Sequence, residues 1–131
     1  MSEREARCQC GQLRIRTQGD PARVSVCHCL ECKRRSGSAF AVQARFPVEN
    51  VQITGNAHQW SRTGDEGNTA TFSFCPGCGS TVFYRFDADP TMIAAAVGAF
   101  ADPTFPAPIY SVYEERRHPW VTLPADIERH D

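Results

Sequence analysis

The sequence predicts a mainly β fold, and three observations carry that expectation. Apolar and polar residues alternate with a period of two in several short segments, which is the side-chain repeat of a half-buried strand. Glycine, proline, asparagine and aspartate punctuate those segments at short intervals, favouring strands over bundled helices. Helix signals are few.

The elements follow in chain order. Leu13 and Ile15 alternate with Arg14 and Arg16, so one face of that segment is apolar. Leu30–Ser36 is expected to form one helical turn, stopped at Gly37. Residues 40–46 (Phe-Ala-Val-Gln-Ala-Arg-Phe) and Val51–Thr54 read as strands, the second closed by Gly55-Asn56. Thr69–Phe74 sets Thr69, Thr71 and Ser73 against Ala70, Phe72 and Phe74. Thr81–Phe86 and residues 92–97 continue the series, with Asp87-Ala88-Asp89-Pro90 as the turn between them. The Ala94-Ala95-Ala96 run is too closely flanked by Pro90 and Gly98 to make a helix. Residues 102–108 carry Pro103, Pro106 and Pro108, so they are expected to cross the surface as an ordered loop.

Length and composition narrow the function. At 131 residues the chain is expected to be one domain over residues 1–131. Lys and Arg total 14 against 15 Asp and Glu, a net charge of −1, which argues against a protein held to nucleic acid by bulk charge. At 41% hydrophobic and 22% charged, the chain is that of a folded domain. No apolar run approaches the roughly 18 residues of a spanning helix, so no membrane partner is expected. The polar start, Met1 to Arg7, has no apolar signal region, and the expected location is cytoplasmic.

Seven cysteines are the anomaly. In a reducing compartment, clustered cysteines are more often metal ligands or redox groups than disulfides. Cys75-Pro76-Gly77-Cys78-Gly79 places two thiols at i and i+3 around a tight turn, the knuckle that can present both to one zinc. A redox Cys-x-x-Cys is expected at the start of a helix, whereas here strands are expected on both sides. Cys8 and Cys10 can supply the other two ligands of a closed site, since residues i and i+2 of an extended strand share a face. The alternative is that they are ordinary thiols.

Cys27, Cys29 and Cys32 remain. Cys27 and Cys29 share a face by the same argument, Cys32 returns after one turn, and His28 is expected to point away as a hydrogen-bonded histidine. Three protein ligands with a vacant fourth position is the pattern of a catalytic zinc; a partly occupied structural site is the alternative. Lys33, Arg34 and Arg35 follow at once and can offset the charge of a thiolate-rich site or attract an anionic thiol. They read equally well as a solvated basic run. Gly37 and Ser38, with Ser36, offer donors to a bound carboxylate or make a plain turn.

Together these motifs resemble the glutathione-dependent formaldehyde-activating enzyme family. The segments that carry the resemblance begin with Cys8-Gln9-Cys10-Gly11, Cys27-His28-Cys29-Leu30-Glu31-Cys32-Lys33-Arg34-Arg35-Ser36-Gly37-Ser38 and Phe74-Cys75-Pro76-Gly77-Cys78-Gly79-Ser80. Val97-Gly98-Ala99-Phe100-Ala101-Asp102-Pro103 and Tyr113-Glu114-Glu115-Arg116-Arg117-His118-Pro119-Trp120-Val121 extend it, so it spans roughly residues 6–121. The resemblance implies a β-tent fold of packed antiparallel sheets with two zinc ions. It assigns Cys8, Cys10, Cys75 and Cys78 to a structural zinc and Cys27, Cys29 and Cys32 to the catalytic one. The activity it implies is formation of S-hydroxymethylglutathione from glutathione and formaldehyde, classed as a carbon–sulfur lyase for the reverse direction.

Three functional classes compete on this sequence. The first is a lyase-type enzyme acting on an adduct of glutathione or a related thiol, with Lys33, Arg34, Arg35, Gly37 and Ser38 assisting thiol binding. The second is a zinc-stabilised module that binds protein or nucleic acid without catalysis; the near-neutral charge disfavours nucleic acid. The third, a redox enzyme, needs a free low-pKa cysteine, and every cysteine here lies in a cluster. Among other residues, Phe40, Phe46, Phe72, Phe74, Phe83 and Phe86 are expected to pack the sheets, and Trp60 and Trp120 to be partly buried, with walling a pocket the alternative for either tryptophan. Glu114, Glu115, Arg116 and Arg117 are expected to form solvated charge pairs, and His118 to lie at the surface.

Overall fold

The computed structural model describes residues 2–131. The elements are β1 (Glu3–Arg7), β2 (Arg14–Gln18), β3 (Arg23–Cys27), α1 (Leu30–Ser36), β4 (Ala41–Pro47), β5 (Val51–Thr54), β6 (His58–Thr63), β7 (Thr69–Phe74), β8 (Thr81–Phe86), β9 (Met92–Ala96), β10 (Tyr110–Val112) and β11 (Glu128–Arg129). The fold is mainly β. A three-stranded antiparallel sheet has the order β1-β2-β5, and an eight-stranded sheet runs β11-β10-β3-β4-β9-β8-β7-β6. The large sheet is antiparallel except around β10, which lies parallel to both β3 and β11. No helix among the described residues is long and apolar enough to cross a membrane.

The alternation read from the sequence places the core. In β2, Ile15 and Thr17 are fully buried while Arg14 and Arg16 face solvent, where they pair with Glu5 and Glu3 at 3.0 and 3.2 Å. The buried row packs with Ala6 and Leu13 against Val24, Ala44, Phe46, Phe83, Ile93 and Ala95 on one face of the large sheet. The opposite face of that sheet carries a second, smaller cluster of Phe72, Tyr84 and Ala94, aligned across β7, β8 and β9 by register. Of the six phenylalanines expected to pack, Phe46, Phe72 and Phe83 are buried, and Phe40, Phe74 and Phe86 are half-buried.

Several expectations are corrected in detail. The strand expected over residues 92–97 ends at Ala96, because Val97–Phe100 turns as a 3-10 helix that seats Phe100 against Phe46. The helix expected over Leu30–Ser36 forms with those bounds, as about two turns instead of one, and is ended as expected by Gly37, in the left-handed region at φ 68°. Trp60 and Trp120 are 54% and 69% exposed, not partly buried: β6 is an edge strand and Trp120 lies in the loop beyond β10.

Glu114 is the largest correction. It is not a solvated partner; its side chain is 11% exposed and gathers cations around it. Arg117 Nε and Arg129 Nη1 donate to its Oε1 at 3.2 and 2.8 Å, and the Ser111 hydroxyl donates to Oε2. Burial alone would raise this carboxyl, but the Ser111 and Arg129 hydrogen bonds prevail and hold it below the usual carboxylate range. Glu114 therefore ties the segment after β10 to β11. Glu114→Gln is expected to lower stability by about 2 kcal/mol, because it removes the charge that two guanidiniums and a buried hydroxyl share. A lower urea midpoint with an unchanged slope is the readout.

Candidate metal centres

The first cysteine group is built by two turns that mirror each other. Cys8 follows β1 and Cys10 lies in the turn to β2; Cys75 and Cys78 form the knuckle between β7 and β8. Each turn closes on a glycine of positive φ. Gly11 (φ 86°) donates its N–H to the Cys8 carbonyl at 3.1 Å, and Gly79 (φ 80°) to the Cys75 carbonyl at 2.8 Å. The two sulfurs of the first pair thus converge from a turn, not from the extended strand expected. Their separation is 3.6 Å, as is that of Cys10 and Cys75.

All four sulfurs lie within 4.8 Å of one another. Sulfurs about 2.3 Å from one tetrahedral ion would be about 3.8 Å apart, so the group fits a metal. Backbone N–H groups of Leu13 and Gly77 point at Cys8 and Cys75, each at 3.3 Å, as anionic sulfur requires. The Ser80 hydroxyl, then the backbone, lowers the Cys78 thiol to about 5, and the Gln12 amide lowers Cys75. The Gln12 amide nitrogen reaches both the Cys75 sulfur at 3.1 Å and the Asn56 carbonyl at 2.6 Å. One side chain therefore links the site to the turn after β5.

The second group forms where β3 runs into α1. Cys27 ends the strand and is buried; Cys29 is the N-cap of the helix, its sulfur accepting from the Cys32 N–H at 3.2 Å. The three sulfurs again lie within 4.8 Å of one another, with Cys27 and Cys32 3.3 Å apart. Hydrogen bonds from Cys27 and Cys32 stabilise the Cys29 thiolate and hold it far below the ordinary thiol range, with Arg62 adding a favourable charge. The same contacts push Cys27 upward. Three sulfurs this close together can share one cation, so the group fits a metal.

His28 faces away from this group, as expected. It is fully buried, its Nε2 is 2.9 Å from the Ser111 hydroxyl, and its backbone N–H donates to the Val112 carbonyl at 3.1 Å. Since Ser111 donates to Glu114, a buried polar chain pins the residue between two cysteines. Burial keeps His28 neutral by lowering its pKa.

The other candidate residues part company. Lys33 Nζ donates to the Arg116 carbonyl at 2.5 Å, and Arg34 pairs with Glu31. The Arg35 guanidinium lies 4.8 Å from the centres of both the Phe72 and Tyr84 rings. Gly37 caps the helix, and the Ser38 N–H donates to the Ser36 hydroxyl. A cavity of about 240 Å³ opens on Cys32; Arg34, Arg35, Trp60, Arg62 and Phe72 line it. The sequence offered Trp60 as a pocket wall only as the alternative to burial, and Arg62 not at all: both lie on a polar edge strand remote from every cysteine motif. The only signal was a tryptophan among polar residues.

The sequence profile described as glutathione-dependent formaldehyde-activating enzyme matches residues 3–116. The chain belongs to that family. A Penicillium rubens protein named for the same enzyme is 25% identical over 123 residues, an alignment covering 86% of this chain. The chain spans 64% of the length of that relative. A crystal structure of a Rhodobacter sphaeroides protein shares the fold, with a TM-score of 0.59 at 22% identity over 76% of this chain and 91% of that one. For a member of the glutathione-dependent formaldehyde-activating enzyme family, the two cysteine groups are the sites best built to hold metal ions.

The Gln12 link makes a test of the four-cysteine site possible without touching a ligand. A Cβ added at Gly55 (φ 97°) would lie 2.0 Å from the Gln12 carbonyl oxygen. Gly55→Ala is therefore expected to displace the Gln12–Leu13 backbone and cost at least about 2 kcal/mol, lowering the thermal midpoint and loosening metal at that site. Differential scanning calorimetry with and without a chelator checks both effects.

Proposed function

We propose that this protein is a zinc-dependent enzyme of the carbon–sulfur lyase type that makes and breaks the adduct of formaldehyde with glutathione or a related thiol. The observation that carries the reading is the three-cysteine group: it offers three ligands where a closed site needs four, and it opens on an arginine-lined cavity. In the forward direction the thiol sulfur bonds to the formaldehyde carbon, the carbonyl π bond breaks, and the thiol proton ends on the new hydroxyl. In reverse, the carbon–sulfur bond breaks and formaldehyde leaves.

Cys27, Cys29 and Cys32 would hold the reactive zinc, and Cys8, Cys10, Cys75 and Cys78 the structural one. When bound, zinc would supply the charge that deprotonates a thiol at neutral pH. The chain's own residues do the rest. The N-terminal turn of α1 fixes Cys29 and Cys32, and the buried His28–Ser111–Glu114 chain keeps the Cys27–Cys29 segment in place. Arg34 and Arg35 give the cavity a positive wall for an anionic thiol, with Lys33, Gly37 and Ser38 shaping the helix that carries them. Holding thiol and aldehyde together removes part of the entropic cost of their meeting. The unpaired cysteines suit a reducing, cytoplasmic setting, with residues 1–131 acting as one zinc-binding domain.

Two measurements test this reading. Elemental analysis is expected to find two zinc ions per chain, one in Cys29→Ala and one in Cys78→Ala, with only the latter markedly less heat-stable. Exchange NMR on S-hydroxymethylglutathione is expected to show a protein-dependent rate above background that falls at least about tenfold in Cys29→Ala. A folded, zinc-loaded wild type that adds nothing to the background rate would sink the enzyme reading and leave a binding module.

A further inference from the structure

The edge strand β6 contributes a wall to the cavity that no cysteine motif announces. Its register sets Trp60 opposite Phe72 and Arg62 opposite Ala70, so both side chains lie on the sheet face that also carries Tyr84. Helix α1 approaches the same face and lays Arg35 over Phe72 and Tyr84. Between helix and edge strand remains the cavity of about 240 Å³, open to Cys32.

The polar groups of this cavity are unequally occupied. Glu31 is its one carboxylate and is taken by Arg34. Arg35 is committed to two aromatic rings. Arg62 is half-buried and its guanidinium forms no hydrogen bond or ion pair among the described residues, yet its charge favours the Cys29 thiolate. Trp60 stacks on Phe72 with ring centres 6.3 Å apart and an interplanar angle of 25°, and is itself 54% exposed. A free guanidinium beside an exposed aromatic face is a site for a planar anion attached to an apolar or amide stem. The volume is below the roughly 300 Å³ of pockets that enclose a whole small ligand, so it suits one arm of an extended molecule.

We propose that Arg62 and Trp60 select the thiol: Arg62 forks onto a carboxylate carried several bonds from the sulfur, and Trp60 covers the stem between them. This rests on the reading of the three-cysteine group as the thiol site. It specifies a carboxylate-bearing, peptide-like thiol over a neutral one such as 2-mercaptoethanol. The charge comes from β6 because the adjacent strand, Thr69–Phe74, has no basic side chain to offer.

The test compares full-length, zinc-loaded wild type with Arg62→Gln, Arg62→Lys and Trp60→Ala, by exchange NMR on the formaldehyde adducts of glutathione and 2-mercaptoethanol. Arg62→Gln is expected to raise KM for glutathione about tenfold more than KM for 2-mercaptoethanol, with kcat falling far less than KM rises. Arg62→Lys is expected to recover part of that loss, and Trp60→Ala to show the same bias toward glutathione. An unchanged glutathione KM in Arg62→Gln, or an equal loss for both thiols, overturns the proposal while leaving the activity itself in place. If the wild type exchanges neither adduct, the enzyme reading fails instead. Tryptophan fluorescence in a Trp120→Phe background then decides the site: a glutathione Kd weakened about tenfold by Arg62→Gln supports it, and an equal Kd rejects it.

Discussion

Four sulfurs from two turns, brought together across 65 residues of chain, are the constraint on which this structure depends. The β1–β2 turn belongs to the small sheet and the β7–β8 knuckle to the large one, so the cysteine group joins the two sheets at one point. Cys8 and Cys75 are also core residues, packed with Ala6, Leu13, Val82 and Phe83. Anionic sulfur in such a place is costly unless it is shared with a cation and hydrogen-bonded, and the Leu13, Gly77 and Gln12 donors meet the second condition. A metal ion would meet the first. Closing a loop of this length by a single ion takes more conformational freedom from the unfolded chain than any local contact in the fold.

The second group solves a different problem. Helix α1 has seven residues, none of them buried, and such a segment is not stable by propensity or packing. It is held at its ends and by its side chains. The Cys29 sulfur caps its first turn, Gly37 ends it, Arg35 lies on the Phe72–Tyr84 face, and Lys33 reaches across to the Arg116 carbonyl. The element that presents Cys32 is therefore fixed by polar and aromatic contacts on one side, which leaves its other side open beside the edge strand. The His28–Ser111–Glu114 chain completes the support from beneath, with a neutral imidazole and a low-pKa carboxylate in one buried hydrogen-bonded set.

The elements that could be read from the sequence are those marked by apolar residues at strand spacing or by turn residues at their ends. β2, β4, β5, β7, β8 and β9 carry enough alternation, or enough punctuation, to show themselves. β1 (Glu-Arg-Glu-Ala-Arg) has one apolar residue, and β6 (His-Gln-Trp-Ser-Arg-Thr) has one, because each lies at the edge of its sheet and faces water along much of its length. The two-residue β11 and three-residue β10 are too short to leave a pattern. Glu114 looked like a surface charge because Arg129, one of the cations that surrounds it, is 15 residues away.

The sequence by itself determined the mainly β class, the three local cysteine motifs at 8/10, 27/29/32 and 75/78, and the turn glycines beside them. Those features are local: a thiol spacing of i, i+2 or i, i+3 and a positive φ are properties of a few consecutive residues. Only the tertiary structure decided what surrounds the cysteines. Trp60 and Arg62 meet Cys32 and Arg35 because β6 pairs with β7 while α1 lies across the sheet, and Gln12 meets Cys75 because two sheets touch there. Such contacts depend on strand order and register, which are set by long-range pairing between segments and not by the residues on either side of a motif.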